Sequence, residues 1–253
     1  MSYYQGLQAE VVSFRGHNGD QGEAYYARPL RAGKFPGVVV IHHIPGWCEW
    51  TTEVVRKLAH HGYAAISPHL YFREGGPNES PDDLGARIRA AGGVADAQVM
   101  GDVAASMAYL RAQPNATGKI GVIGFCSGGR HTYLAACTLN GIDAAVDCWG
   151  GFIHRATPDA EATPARPKPI LDMVGQLHCP LFAVFGEEDQ NPSLAQAEEL
   201  KKRAEAAGKD VTIKVYRNAG HAFLADYRPS YREGPATELW TDAVAFFNKH
   251  LKS

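Results

Sequence analysis

In Gly124-Phe125-Cys126-Ser127-Gly128 a thiol sits between two glycines four positions apart. The segment joins a β-branched run, Lys119 to Phe125 (KIGVIGF), to a helix-forming stretch, Gly128 to Leu139. A tight strand-to-helix turn strains the backbone of its central residue and crowds the residues two before and two after it, so glycine is wanted at both. Centring the turn on Cys126 puts Gly124 and Gly128 at the crowded positions, whereas centring it on Ser127 would put Phe125 at one of them. The spacing therefore selects the thiol over the neighbouring hydroxyl as nucleophile. A helix that begins at the turn also offers free amides and the positive end of its dipole, both of which favour a thiolate.

A nucleophile of this kind needs a base and a group to orient the base. The segment FAVFGEED, Phe182 to Asp189, places three acids after a strand; Asp189 lies past the turn at Gly186, where a side chain can point back over the sheet, and Glu188 is the next choice. After the strand VTIKVY comes Asn218-Ala219-Gly220-His221-Ala222-Phe223, a small-residue loop that lets an imidazole reach across the strand ends. Cys126, Asp189 and His221 stand in the order nucleophile, acid, histidine that an α/β-hydrolase requires. The chemistry expected is two-step acyl transfer through a thioester, with the oxyanion held by the backbone N–H groups of Ser127 and Ile44.

The elements that must position these residues alternate. Two short strands, Gln8 to Phe14 and Glu23 to Ala27, flank the polar turn RGHNGDQG and predict a hairpin at a sheet edge. Gly37 to His43 (GVVVIHH) reads as a central parallel strand, and a helix follows, capped by Thr51 or Thr52 and closed at Gly62. Strands at Tyr63–Ser67, Ala144–Trp149, Leu181–Phe185 and Val211–Tyr216 are expected. Val99, Val103, Met107 and Leu110 stripe a helix ending near Arg111; further helices span Ser193–Ala207 and about Pro235–Leu251. Pro68–Ser80 reads as a long loop. The pattern is α/β throughout, one domain over residues 1–253, with a lid or insertion at about 150–178, where prolines are frequent and apolar residues few.

Composition narrows the partner. Lysine plus arginine number 25 against 27 acidic residues, a net charge of -2, so no global field favours nucleic acid or an anionic membrane. No apolar stretch approaches a membrane span, and the start carries no secretory pattern, which predicts a cytoplasmic protein, monomer or homodimer, acting on a small molecule without a cofactor. The five cysteines show no C-x-x-C spacing and suggest neither a disulfide framework nor a thiolate zinc site. A metal-assisted alternative would use His42, His43 and His69, but His42 and His43 should point to opposite faces of their strand, so no metal is expected. A second alternative is a non-catalytic ligand-binding protein on the same scaffold.

Taken together, HHIPG, PHLY, GFCSGG, FGEED and GHAF resemble motifs of the dienelactone hydrolase (carboxymethylenebutenolidase) family, from about Gly37 to the last helix. The resemblance implies an ester- or lactone-hydrolysing enzyme with the triad Cys126, Asp189 and His221 and the amides of Ile44 and Ser127 as oxyanion hole. It also implies departures: His43 stands at the family's glutamate, Arg73 matches one carboxylate-binding arginine, and Ala225 stands at the other, with Arg228 three residues along. The expectation is an altered substrate-carboxylate site, with His43, Arg73, Tyr71, Trp149 and Phe223 as candidate substrate-binding residues.

Overall fold

The computed structural model describes residues 6–75, 79–151, 153, 165–167 and 169–252. It contains an eight-stranded sheet in the order β1-β2-β4-β3-β5-β6-β7-β8. The strands are β1 (Leu7–Arg15), β2 (Gln21–Pro29), β3 (Phe35–Ile41), β4 (Ala64–Pro68), β5 (Ala116–Phe125), β6 (Ala144–Cys148), β7 (Leu181–Gly186) and β8 (Val211–Tyr216). The β1–β2 hairpin and the β2–β4 pairing are antiparallel, and the remaining pairings are parallel.

The unbroken apolar run of β3 is explained by burial on both sides. Val39 and Ile41 enter one core with α3 (Asp96–Arg111), α4 (Ser127–Thr138) and α5 (Leu194–Ala206), while Val38 and Val40 enter the other with α1 (Glu49–His60) and α6 (Glu233–Leu251). Alternate residues of a strand face opposite ways, so a strand covered on both faces must be apolar at every position. The predicted stripe Val99, Val103, Met107 and Leu110 is buried on α3 as expected. Among the described residues no helix is long and apolar enough to cross a membrane.

Three local expectations need correction. The first strand of the parallel set ends at Ile41, so His42 and His43 lie in the loop beyond it. Helix α1 starts at Glu49, ahead of both proposed threonine caps, with Cys48 at the cap and Thr51 Oγ1 donating to the Gly46 carbonyl instead. The stretch after Ser80 forms an unanticipated helix, α2 (Pro81–Ala90). Its signal was present: Ser80 accepts from the Asp83 amide, a proline opens the first turn, and Asp82 and Asp83 complement the helix dipole. Residues 152, 154–164 and 168 of the proposed 150–178 insertion lie outside the described residues. Within the same stretch a 3-10 helix, Ile170–Gln176, buries Ile170, Leu171 and Val174 in the core beneath α4.

Candidate active site

Cys126 forms the hinge between β5 and α4 with φ 56° and ψ -116°, a conformation an L-residue rarely adopts. The flanking glycines are sterically required. A Cβ at Gly124 would fall on the Gly128 carbonyl and 2.5 Å from Thr132 Oγ1; one at Gly128 would fall on the Ile41 carbonyl oxygen and 2.6 Å from that of His42. The turn thus wedges the start of α4 against the end of β3, which brings Cys126 beside the Ile44 loop. Helix α2 closes on the same loop through Gly85, where a Cβ would lie 2.8 Å from the Ile44 carbonyl. Ser127, at the first position of α4, has an amide with no intrahelical acceptor, the condition an oxyanion-hole donor needs.

The ends of β7 and β8 supply the other two members. Their loops are tied by hydrogen bonds from the Glu187 amide to the Tyr216 carbonyl (2.9 Å) and from the Glu188 amide to the Ala219 carbonyl (2.9 Å). Asp189 is buried, accepts from the Asn191 amide at 2.9 Å, and places Oδ2 2.8 Å from His221 Nδ1. Glu188, the next choice, is exposed. Burial depresses the His221 pKa, but hydrogen bonds to Asp189 and Cys126 and the charges of those groups more than reverse this, raising it to about 10. Asp189 therefore holds His221, Cys126 and His221 line one cavity, and the imidazolium is favoured at neutral pH.

A cavity of about 490 Å³ opens over Cys126 and His221. Its apolar wall includes Leu70, Ile88, Val94 and Val99, and its guanidinium groups come from Arg89, Arg130 and Arg166. Arg130 is held in a buried bidentate pair with Asp96 (2.5 and 3.0 Å). Burial alone would raise the Asp96 pKa; His131 and Arg130 bring it down to about 2. Tyr71 lines the cavity, and burial pushes its phenol well above the usual range.

Other candidates fall elsewhere. Arg73 is not among the residues lining the cavity: it donates to both oxygens of buried Asp102 (2.8 and 3.0 Å) and to Asp20 (2.7 Å). The reason is electrostatic, since a fully buried carboxylate needs a bidentate cationic partner. Arg89, Arg130 and Arg166 are the cavity arginines that sequence reasoning missed; Arg89 follows from the overlooked α2, whereas no local pattern marks Arg130 or Arg166. Phe223 is fully buried between Trp149 (5.0 Å) and Tyr216 (5.4 Å) and lines neither this cavity nor its smaller neighbour. Trp149, at φ 43°, stands 6.5 Å from the His221 ring.

The three histidines of the metal alternative do not converge. His42 Nδ1 donates to the His43 carbonyl (2.9 Å) and Nε2 accepts from the Leu70 amide (3.1 Å), so both nitrogens are used. The His42 and His69 rings are 6.5 Å apart, while His43 packs on the other side against Trp50.

Asp147, on β6 behind the elbow, is buried with its carboxylate accepting from the Gly150 amide, and burial lifts its pKa to about 7. Between the ordinary value of 3.8 and about 7 the unfolded chain loses a proton that the folded chain keeps, so this group's stabilisation fades as pH rises through that window. Asp147→Asn should therefore gain stability relative to the parent between pH 4 and pH 8, by about 4 kcal/mol. Urea unfolding at both pH values measures it, and a difference that does not change with pH would refute the assignment.

A mainly parallel sheet in this order, with a strained thiol elbow after β5 and an acid and histidine after β7 and β8, defines an α/β-hydrolase fold. A model described as the dienelactone hydrolase family matches residues 23–251. A protein of Methylorubrum extorquens, provisionally named a carboxymethylenebutenolidase, is 35% identical over 228 residues, covering 90% of this chain and 76% of that protein. One of Salmonella typhimurium with the same provisional name is 34% identical, covering 92% and 84%. The crystal structure of a provisionally named dienelactone hydrolase from Klebsiella pneumoniae superposes with a TM-score of 0.85 at 32% identity, covering 95% of this chain and 98% of that one. The chain belongs to the dienelactone hydrolase family and is a hydrolase acting on ester or lactone bonds.

Proposed function

We propose that Cys126 is the nucleophile of this hydrolase and that the reaction passes through an acyl-thioester. The observation that carries the reading is the Asp189–His221–Cys126 chain, with its 2.8 Å Asp189–His221 hydrogen bond, at the floor of the large cavity. The thiolate attacks the ester carbonyl, and the amides of Ser127 and Ile44 hold the resulting oxyanion. The departing alkoxide takes its proton from His221, whose imidazolium Asp189 stabilises throughout. Water then attacks the thioester, giving up a proton to the neutral imidazole. Acid-quenched mass spectrometry during turnover of a slow ester should detect the enzyme plus one acyl group; an intact protein mass throughout turnover would rule the intermediate out. All five cysteines are unpaired, which suits a reducing, cytoplasmic setting.

The cavity's chemistry favours an ester or lactone with an apolar body and an anionic group. The carboxylate site is altered in its source: in place of Arg73 and the residue at Ala225, Arg89 and Arg166 supply the positive charge. Arg89→Gln and Arg166→Gln should each lower kcat/KM for a carboxylate-bearing dienelactone by about tenfold or more, and leave its neutral methyl ester within about twofold. Arg73→Gln should not discriminate between the two substrates. Equal losses on both substrates in the Arg89 and Arg166 variants would count against an anionic substrate.

A further inference from the structure

The Cys126–His221 pair stands between two cavities. Besides the large one, a cavity of about 70 Å³ is lined by Cys126, His221, His43 and Trp149 among others. A single water needs roughly 10–15 Å³ of such space, so this cavity has room for a few waters and not for the body of a substrate.

Two of its lining residues carry a nitrogen that is buried and has no partner: His43 Nδ1 and Trp149 Nε1. Both residues are more than nine-tenths buried. A buried N–H left unsatisfied costs about 1–3 kcal/mol, so two such residues on the lining of one cavity call for an acceptor that comes and goes. The His43 tautomer follows from its other side. Arg228 Nε donates to the Tyr227 hydroxyl (3.0 Å), and that hydroxyl lies 2.9 Å from His43 Nε2. The arrangement that uses every group has Tyr227 donating to Nε2, which leaves the ring proton on Nδ1. Burial, Arg228 and His221 lower the His43 pKa to about 3, so the ring is neutral at working pH and can orient a neighbour without exchanging protons with it.

We propose that the small cavity holds the water that hydrolyses the acyl-enzyme, and that His43, with Trp149, positions it. This rests on the acyl-thioester reading above. With the acyl group in the large cavity, the water accepts from His43 Nδ1–H and lies against the thioester from the opposite side. Its oxygen bonds to the acyl carbon while one proton passes to neutral His221 Nε2. The C–S bond then breaks, its electron pair returns to Cys126 as thiolate, and the acid product departs with His221 again an imidazolium. His43 is thus a positioning residue for deacylation and contributes nothing to the first attack.

The test separates the two half-reactions with a p-nitrophenyl ester. His43→Leu should keep the rate and amplitude of the p-nitrophenol burst while steady-state kcat falls by about tenfold to a hundredfold. KM should fall in the same proportion, leaving kcat/KM unchanged, and the acyl adduct should accumulate in the mass spectrum. His43→Asn, which can return an N–H to the Nδ1 position, should restore turnover; His43→Gln, which reaches the Nε2 position, should not. Trp149→Phe removes one N–H from a retained ring and should give a smaller effect of the same kind, a second route should the leucine variant not fold. Unchanged turnover in both variants, or a loss of kcat/KM with no adduct, overturns the proposal. So would inhibition by formate that disappears in His43→Leu with deacylation intact, which would assign the cavity to a substrate carboxylate. Failure of the thioester reading itself would appear differently, as no burst and no adduct in the wild type.

Discussion

Replacing Cys126 with alanine should reduce kcat/KM for short p-nitrophenyl esters by about 10⁴-fold or more, to a residue of activity that the oxyanion hole and binding alone sustain. The proposed acyl-enzyme is bonded through this sulfur, which attacks in the first half-reaction and leaves in the second, so neither half-reaction proceeds by this route without it. The fold should survive, because Cys126 is only partly buried and an alanine retains the Cβ that the elbow already accommodates at φ 56°. Iodoacetamide supplies an independent readout: the wild type should lose activity as one carbamidomethyl group is added at Cys126, and a preloaded carboxylate-bearing product should slow that addition. Cys48 is the other cysteine with some exposure, and Cys137, Cys148 and Cys179 are buried, with burial raising the pKa of each of these three thiols. Ester hydrolysis that persists at the wild-type rate in Cys126→Ala would remove the thiol from the mechanism.

The second large effect is on folding. Gly128→Ala should destabilise the protein by about 3–5 kcal/mol, enough to leave much of it unfolded, because the added methyl falls on the Ile41 carbonyl and crowds that of His42. Neither neighbour can yield cheaply: both are backbone atoms at the end of the central strand. Gly124→Ala should behave similarly, since its methyl would fall on the Gly128 carbonyl. The control is Gly234→Ala, near the start of α6, where a Cβ meets nothing within 4 Å. There the substitution should be neutral or stabilising by up to about 1 kcal/mol, as alanine is the better helix former. Urea unfolding of the three variants decides the matter; equal, small changes at Gly128 and Gly234 would mean that the elbow is less tightly wedged than the geometry implies.

The elbow was legible before any coordinates because it is a local object. A strand, a tight turn and a helix are built from consecutive residues, so Gly124, Cys126 and Gly128 carry their steric reason in their spacing. The acid and the histidine were legible for a related reason: each follows a recognisable strand, and parallel strands deliver their C-terminal ends to one side of the sheet. Helix α2 was missed despite its Ser80-Pro81-Asp82-Asp83 start, since its ten residues carry little apolar periodicity. With it went Arg89.

Arg73 shows where pattern fails. Its position in Leu70-Tyr71-Phe72-Arg73 aligned it with a substrate clamp, yet the charge it answers is that of Asp102, 29 residues away on α3, and Asp20 in the turn after β1. Which anion an arginine faces is set by long-range packing that adjacent residues do not encode. The same holds for the chain Arg228–Tyr227–His43, whose members come together across a sequence separation of 184 between Tyr227 and His43.

From the sequence alone came the α/β alternation, the glycine-flanked turn at Cys126 and the places of Asp189 and His221 after later strands, because hydrophobic period and turn sterics act between near neighbours. The tertiary structure alone decided which arginines line the cavity, that His42 is satisfied at both nitrogens while His43 is not, and that a second, smaller cavity lies beside Cys126. Those properties depend on what the folded chain packs against each side chain, and burial and pairing across long loops are settled only when the sheet has closed around them.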